Sequence, residues 1–283
     1  MMIVEQGTGP ALVLIPGIQG RWEYAQPAVE ALASAFRVMT FPLCDEPSCD
    51  FEFDEGQGFD CYVEQVRAAL DQCRIERAIV CGISFGGLIA LRFAATHADR
   101  TSGLVLASTP GPRWHLPRRH EVYARLPYLL GPLFLAETPW RLRRELAMAF
   151  PTRSNRLRFA SLQLRTLVGA PLSFGRMARR ARMIATIDAL ADCARITAPT
   201  LIVTGERALD RVVSVDESIG YVSMIRGARG VVLERTGHLG SITRPAAFAA
   251  IVRDFFDRGV GLLERRSLGE GSQPDRDRAP EVA

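Results

Sequence analysis

The sequence contains no lysine, so all of its 35 basic residues are arginine. Catalysis through a Schiff base needs a lysine amine, and this absence therefore excludes that chemistry and other lysine-assisted mechanisms. Histidine is scarce as well, with four residues in a chain of 283. Any imidazole that acts as a general base must belong to one of four residues, which are His97, His115, His120 and His238.

Long apolar runs are also missing. The sequence has no stretch of roughly 18 consecutive apolar residues, and it therefore predicts no membrane span. The first ten residues include Glu5 but neither a basic cluster nor a long apolar segment. We accordingly expect no signal peptide and a cytoplasmic location.

The six cysteines lack the closely spaced pairs of a zinc ribbon or a thioredoxin-like site. Cys44 and Cys49 are near enough in sequence to form a bridge. Reduced thiols are nevertheless the expectation for a cytoplasmic protein, because that compartment keeps cysteines reduced.

Charge is distributed unevenly along the chain. Residues 111–183 contain 15 arginines and three acidic residues, whereas the rest of the chain has more acidic than basic residues. The arginines could attract carboxylate or phosphate substrates, or they could form the solvated faces of helices. No recognised nucleic-acid-binding motif accompanies them, so we expect no nucleic-acid partner.

Short apolar runs alternate with helical patterns along most of the chain. Such alternation is typical of an α/β fold whose parallel strands are buried on both faces. We therefore predict a mostly parallel central sheet flanked by helices. The predicted strands are Ala11–Ile15, Phe36–Phe41, Ala78–Cys81, Gly103–Ala107, Leu201–Thr204 and Gly230–Leu233.

The interval between the fourth and fifth of these strands has no strand signal and contains helical patterns instead. Helices are predicted to begin at Thr138-Pro139 and to span Asn155–Val168 and Ser173–Ile187. A helical insert at this point of a parallel sheet can cover the carboxyl ends of the strands, where such sheets bind ligands. An insertion remote from the site is the alternative.

These patterns divide the chain into three parts. We assign residues 1–110 and 196–266 to the α/β core and residues 111–195 to an inserted helical cap. The segment 267–283 is rich in Gly, Pro, Asp and Arg and lacks apolar periodicity, so it is predicted to be a disordered tail.

Ser84 is the strongest candidate for a catalytic residue. It lies in Gly82-Ile83-Ser84-Phe85-Gly86, between a predicted strand and a helical pattern. This context predicts a nucleophile elbow, in which a sharp turn exposes the serine hydroxyl at the top of a sheet. The helix that follows directs its free N–H groups toward the place where an oxyanion would form.

A serine hydroxyl needs a general base at neutral pH, and His238 is the histidine best placed to act as one. It follows the last predicted strand, at the same end of the sheet as Ser84. The acid that orients the imidazole should follow the preceding strand, where Asp210 and Glu206 are both candidates. We assign Asp210, because it lies several residues beyond the strand and can turn back toward His238. Glu206 is expected to form hydrogen bonds within its loop.

Two backbone N–H groups should stabilise the oxyanion. One belongs to Phe85, directly after the nucleophile. The other is assigned to Ile18, in the loop that follows the first strong strand, where Gly17 allows an unusual backbone angle.

Four motifs together resemble the α/β-hydrolase superfamily, in its capped serine esterase or carboxylesterase branch. They are Pro-Gly-Ile-Gln-Gly at 16–20, Gly-Ile-Ser-Phe-Gly-Gly at 82–87, Thr-Gly-Glu-(x)3-Asp-x-Val-Val at 204–213 and Gly-His-Leu-Gly at 237–240. The resemblance covers roughly residues 6–257. It implies an α/β-hydrolase fold with an inserted helical cap.

The catalytic residues follow the order Ser, Asp, His along the chain, as in that superfamily. The loop that carries Ile18 departs from the usual pattern, because it begins with Pro16-Gly17 where His-Gly is common. Only residues 2–6 are available for the antiparallel strands that usually precede Ala11.

The resemblance implies acyl transfer, in which Ser84 attacks a carbonyl, His238 accepts its proton and Asp210 holds the imidazole. Neither a metal nor an organic cofactor is needed. The expected activity is hydrolysis of a small-molecule carboxylic ester by a monomer or homodimer, and an anionic ester is one option. Hydrolysis of a lactone, a thioester or a β-diketone carbon–carbon bond remains an alternative, as does a ligand receptor without catalysis. The predicted substrate-binding residues are Trp22, Tyr24, Leu239, Trp114, Tyr128, Phe134 and Trp140.

Overall fold

The computed structural model describes the backbone of residues 1–269 and the side chains of residues 1–257. Its strands are β1 (Val4–Gln6), β2 (Ala11–Ile15), β3 (Arg37–Thr40), β4 (Ala78–Ile83), β5 (Thr101–Ala107), β6 (Thr200–Thr204) and β7 (Arg229–Val232). They form one seven-stranded sheet in the order β1-β3-β2-β4-β5-β6-β7. Strand β1 pairs with β3 in the antiparallel sense, and every other pairing is parallel. The predicted mostly parallel sheet is therefore confirmed.

Helices cover both faces of this sheet, which explains why its inner strands are continuous apolar runs. Within β2, Leu12 and Leu14 contact one apolar cluster, whereas Val13 and Ile15 contact the other. The first cluster includes α1 (Gln26–Leu32) and α12 (Pro245–Gly269), and the second includes α2 (Asp60–Gln72), α3 (Phe85–Thr96) and α8 (Ala189–Arg195). Three short helices complete the core, namely α9 (Val215–Ile219), α10 (Tyr221–Met224) and α11 (Gly240–Thr243).

Four further helices lie between β5 and β6. They are α4 (Arg118–Arg125), α5 (Pro127–Ala149), α6 (Arg153–Gly169) and α7 (Phe174–Met183). We call residues 111–195 the helical insert. It contacts the loops at the carboxyl ends of several strands, through hydrogen bonds described below.

Helix α5 differs from its prediction, because it begins at Pro127 and not at Thr138-Pro139. Pro139 removes an N–H group from the helix ladder and would ordinarily end or kink the helix. At the same turn, however, the Thr138 hydroxyl and the Arg141 guanidinium both donate to the carbonyl of Phe134, at 3.0 and 3.1 Å. These side-chain hydrogen bonds stabilise the turn beside the carbonyl of Leu135, which is the group that Pro139 leaves without its usual donor, and the helix continues through the proline.

The closing helix α12 begins at Pro245, as expected for a proline in a first helical turn. It continues to Gly269, so the first three residues of the predicted disordered tail belong to this helix. The remainder of that tail, 270–283, lies outside the described residues. Within the described part of the chain, no helix combines the length and apolar content that crossing a bilayer requires.

Candidate active site

Ser84 occupies the sharp turn between β4 and α3. Its backbone has φ 55° and ψ −117°, which a residue with a Cβ rarely adopts. The Ser84 N–H donates to the carbonyl of Ala107 at 2.8 Å, and the Gly87 N–H donates to the carbonyl of Ser84 at 2.9 Å. These bonds hold the serine at the carboxyl edge of the sheet, at the N-terminus of α3.

Gly82 and Gly86 allow this turn for a steric reason. A Cβ at position 82 would collide with the backbone of Gly86 and Gly87. A Cβ at position 86 would collide with the carbonyls of Ile15 and Pro16. Because Gly86 lacks one, the elbow packs directly against the loop that contains the predicted oxyanion-binding residue Ile18.

The structure brings together the three side chains predicted to form a triad. The Ser84 Oγ lies 3.1 Å from the His238 Nε2, and the His238 Nδ1 lies 3.4 Å from the Asp210 Oδ2. Asp210 accepts the N–H groups of Val212 and Val213 on its other oxygen, at 2.8 and 3.0 Å. The loops after β4, β6 and β7 thus supply one residue each. The imidazole–carboxylate separation is long for a hydrogen bond, and such bonds often tighten when substrate binds.

The charges of His238 and Asp210 stabilise each other. Burial alone would lower the pKa of His238, but the nearby carboxylate of Asp210, together with the charge of Glu145, raises it above its usual value. Burial alone would raise the pKa of Asp210, but His238 and two backbone N–H groups lower it below its usual value. Opposite charges favour both ionised forms, so the carboxylate can stabilise an imidazolium.

Glu206, the alternative acid, forms a different set of bonds. Its Oε1 accepts the Arg235 N–H at 2.5 Å, and its own N–H donates to the carbonyl of Thr236 at 2.8 Å. Both contacts lie on the segment that leads to His238. Glu206 therefore supports the loop that presents the imidazole.

The predicted oxyanion residues flank the serine. Phe85 opens α3 with its side chain buried, and Ile18 lies in the loop that Gly86 contacts. The carbonyl of Ile18 accepts a hydrogen bond from Arg180 at 2.9 Å. Two separate backbone segments thus adjoin Ser84, and the role of their N–H groups in an oxyanion hole stays a prediction.

Glu145 lies on α5, in the insert, and contacts the loop that carries His238. None of the sequence motifs pointed to this residue. Its side chain is fully buried. Its Oε1 accepts the Thr236 hydroxyl at 2.8 Å and the Leu239 N–H at 2.7 Å, whereas its Oε2 has no hydrogen-bond partner among the described residues. Burial raises the pKa of Glu145, although these donors and His238 oppose the shift.

Arg180, on α7, supports the loop that contains Ile18. It is fully buried and lies 2.5 Å from Asp45 and 2.6 Å from Glu46, in addition to its bond with the Ile18 carbonyl. Gly20 has φ 73°, and a Cβ there would collide with this guanidinium. Arg180 therefore fixes the loop after β2 and the loop after β3 to the insert.

One sequence signal could have identified both residues. Helical spacing places Glu145 beside Leu142 and Leu146 on the predicted apolar face of its helix. Arg180 likewise lies between Met177 and Ile184 on the apolar face of the helix predicted over Ser173–Ile187. A charged residue on an otherwise apolar face is rarely buried without a partner, so it predicts a specific buried contact.

Three of the predicted substrate-binding residues lie beside the catalytic loops. Trp22 and Tyr24 belong to a short helical turn after the Ile18 loop, and both are half-buried. The Tyr24 hydroxyl donates to the carbonyl of Ala170 at 2.8 Å, and burial raises the pKa of Tyr24 to about 12. Leu239, next to His238, is half-buried.

The other four belong to the insert. Trp114 is half-buried between β5 and α4. Phe134 packs on His120 and Tyr123 within the insert, and Trp140 is 69% exposed with Arg143 stacked on its ring. The contacts that the structure shows for Phe134 and Trp140 thus lie within the insert, and their contact with substrate stays a prediction.

Tyr128 is largely exposed and lines a cavity of about 550 Å³ between the insert and the core. Arg21 and Arg176 also line this cavity, whereas Ser84 and His238 do not. In the described part of the chain, no group of three or more His, Cys, Asp and Glu side chains is arranged to hold a metal ion.

Known proteins are similar to this chain over most of its length. RutD of Pseudomonas savastanoi pv. phaseolicola, whose name describes a carbamate hydrolase, is 25% identical over 264 residues, covering 89% of this chain and 96% of that protein. The 2-hydroxymuconate semialdehyde hydrolase of Pseudomonas sp. strain CF600 is 28% identical over 262 residues, covering 89% of this chain and 88% of that protein.

Solved structures show the same fold. The crystal structure of the enol-lactonase from Burkholderia xenovorans LB400 superposes with a TM-score of 0.73 at 25% identity, covering 90% of this chain and 96% of that chain. The family described as "Alpha/beta hydrolase family" matches residues 12–251. The chain therefore belongs to the alpha/beta hydrolase family and has its fold.

Proposed function

We propose that this protein is a serine hydrolase that cleaves carboxylic esters through an acyl-enzyme on Ser84. One observation carries the proposal, namely the 3.1 Å contact between the Ser84 Oγ and the His238 Nε2. A serine on a strained turn, with an imidazole within hydrogen-bond reach, is the arrangement that nucleophilic catalysis requires.

The residues take the following roles in this mechanism. Ser84 attacks the ester carbonyl while His238 accepts its proton, and Asp210 holds the imidazole and stabilises the resulting imidazolium. The N–H groups of Phe85 and Ile18 stabilise the oxyanion of the tetrahedral intermediate. His238 then protonates the departing alcohol, leaving an acyl group on Ser84. Water activated by His238 attacks this acyl group and releases the acid.

The helical insert is proposed to cap the reacting groups. Support comes from its two buried charged contacts, Glu145 with the loop around His238 and Arg180 with the loop around Ile18. A cap at this place would exclude water from the acyl-enzyme and shape the substrate pocket.

Lactone hydrolysis is a second candidate, and the structural similarity to an enol-lactonase favours it. A lactone is a cyclic ester, so the same bond breaks by the same steps. The difference is that the alcohol product stays attached to the acid. Assays that pair each open ester with a lactone of equal carbon number would separate the two activities.

The proposal is tested with p-nitrophenyl acetate and p-nitrophenyl butyrate. We expect turnover by the wild type and a loss of about four orders of magnitude or more in kcat for Ser84→Ala and for His238→Ala. Turnover that survives Ser84→Ala would remove this serine from the mechanism. Tight binding of small molecules without turnover of any ester or lactone would favour a receptor.

A matched pair of variants tests the assignment of the acid. Asp210→Asn keeps the shape of the side chain but stabilises the wrong imidazole tautomer, so kcat should fall by about four orders of magnitude. Glu206→Gln retains an acceptor for the Arg235 N–H and should keep most of the activity. The reverse result would assign the acid to Glu206.

A further inference from the structure

Helix α6 has an unusual environment for its length. It has 17 residues, and none of them is buried. Each of the other helices with eight or more residues buries at least one described side chain. Most of the stability of a helix in a protein comes from packing of one face. Phe159 of α6 packs on Phe150, but the opposite side of the helix has no packing partner among the described residues.

The most exposed apolar residues of α6 form a single stripe. Leu157, Leu164 and Val168 are 71%, 62% and 78% exposed. Their spacings of seven and four residues place them on one side of the helix. A surface of this kind on a monomer usually marks a site of interaction.

Arginines accompany this stripe. Arg153, Arg158 and Arg165 are exposed, and α6 contains no acidic residue. None of these three guanidinium groups forms an ion pair with another described residue. Helix α6 therefore presents aliphatic side chains and unpaired positive charges to the solvent together.

We propose that α6 docks on the surface of an anionic lipid bilayer and lies in the plane of the headgroups. Its apolar stripe would enter the boundary between headgroups and acyl chains, as in interfacial amphipathic helices. The arginines would bind lipid phosphates, which a guanidinium contacts through paired hydrogen bonds. Each basic residue close to an anionic membrane adds to the attraction.

Charge favours this partner over a second copy of the chain. A two-fold symmetric dimer brings the same patch of both subunits together. Arginines of α6 would then face arginines, with no acidic residue on the helix to compensate. Nucleic acid fits less well, because its phosphates would pair with the arginines but leave the aliphatic stripe in water.

Co-sedimentation of the full chain with vesicles tests the proposal. One set of vesicles contains phosphatidylcholine alone, and the other contains phosphatidylcholine mixed with phosphatidylglycerol. We expect the wild type to bind the mixed vesicles, to bind phosphatidylcholine much more weakly, and to be released from the mixed vesicles by added salt.

Two variants separate the apolar and the charged contributions. Leu157→Ser/Leu164→Ser/Val168→Ser should lower the partition coefficient by roughly tenfold or more, because burial of the stripe is lost. Arg153→Gln/Arg158→Gln/Arg165→Gln should remove the preference for phosphatidylglycerol. The matched control is Met2→Ser/Leu190→Ser/Val232→Ser, which changes three exposed apolar residues outside α6 and should bind like the wild type. Thermal melting of each variant checks that it is folded.

Three results would overturn the proposal. The first is that the wild type binds both kinds of vesicle equally. The second is that Leu157→Ser/Leu164→Ser/Val168→Ser binds the vesicles as well as the wild type does. The third is that the wild type self-associates and that this variant does not. Sedimentation velocity without lipid measures the last of these, which would assign the stripe to contact between copies of the chain. None of the experiments depends on ester hydrolysis.

Discussion

Ser84 adopts φ 55° and ψ −117°, a backbone conformation that costs a residue with a Cβ roughly 1–3 kcal/mol. Ser84→Gly removes this cost, Ser84→Ala keeps it, and both variants lack the hydroxyl. The more flexible unfolded chain of the glycine variant offsets about 0.5–1 kcal/mol of the gain. We therefore expect Ser84→Gly to unfold at a higher urea concentration than Ser84→Ala. Equal unfolding midpoints would contradict strain at this position.

Glu145 is expected to influence the pH dependence of the reaction. Its charge helps to raise the pKa of His238, and catalysis needs His238 in its neutral form. The value of kcat/KM should therefore fall as the pH drops through the pKa of His238. Glu145→Gln keeps an acceptor for Leu239 and removes the charge, so this fall should move to lower pH. The measurement is the pH profile of kcat/KM with a neutral p-nitrophenyl ester.

The control for this variant is Glu137→Gln, on the same helix. Glu137 pairs with Arg119 and does not contact the His238 loop, so its pH profile should match the wild type. With four histidines in the chain, NMR titration of the imidazole protons gives the pKa of His238 directly. An unchanged pKa of His238 in Glu145→Gln would show that the charge of Glu145 does not raise the pKa of this imidazole.

Ser84, Asp210 and His238 could be predicted because each follows a recognisable strand, and the ends of parallel strands meet at one edge of the sheet. Glu145 and Arg180 could not be assigned a contact in the same way. Their partners lie more than 90 residues away in sequence, and only packing of the insert on the core brings them together. Local pattern shows that such a residue is buried but not what it binds.

Arg180 joins α7 to the loops that follow β2 and β3. Arg180→Met leaves the buried carboxylates of Asp45 and Glu46 without their counter-ion, which should lower the free energy of unfolding by about 3–5 kcal/mol. Adding Asp45→Asn and Glu46→Gln removes those unpaired charges and should restore part of the loss. Urea unfolding of the three proteins measures both effects.

Arg179→Met is the matched control for this experiment. Arg179 is the neighbour of Arg180 on α7, has a side chain that is 40% exposed, and lies 3.4 Å from Glu55 and over the ring of Phe53. Exposed ion pairs contribute roughly 0–1 kcal/mol, so this variant should remain close to the wild type. A loss in Arg179→Met equal to that in Arg180→Met would attribute the effect to α7 as a whole.

Strands could be predicted more accurately than the helices of the insert. The inner strands are continuous apolar runs because both faces of the sheet are covered, and this signal does not depend on distant contacts. The start of α5 was predicted wrongly because a proline is common in the first turn of a helix and rare inside one. Side chains of Thr138 and Arg141 add hydrogen bonds to the carbonyl of Phe134 at that turn, and such contacts have no periodic pattern in the sequence.

The separation of charge between the insert and the core should affect the rate at which the protein meets an anionic substrate. Residues 111–183 carry 15 of the arginines and only three acidic residues. A positive region near the site raises the rate of encounter with an anion, and salt screens this attraction. We expect kcat/KM for a p-nitrophenyl hemisuccinate to fall with added NaCl, while the value for p-nitrophenyl butyrate stays constant. An equal response of both esters would assign the arginines no role in attracting substrate.

The buried contacts of Glu145 and Arg180 limit how the helical insert of this protein can be replaced by that of a relative. A chimera that takes residues 111–195 from a family member without equivalents of Glu145 and Arg180 would lose the partners of Thr236, Leu239, Asp45 and Glu46 at once. Crossover points placed only at the two ends of the insert are therefore insufficient for a functional chimera. Such a transplant would also have to carry the loops after β2, β3 and β7, which contact Arg180 and Glu145.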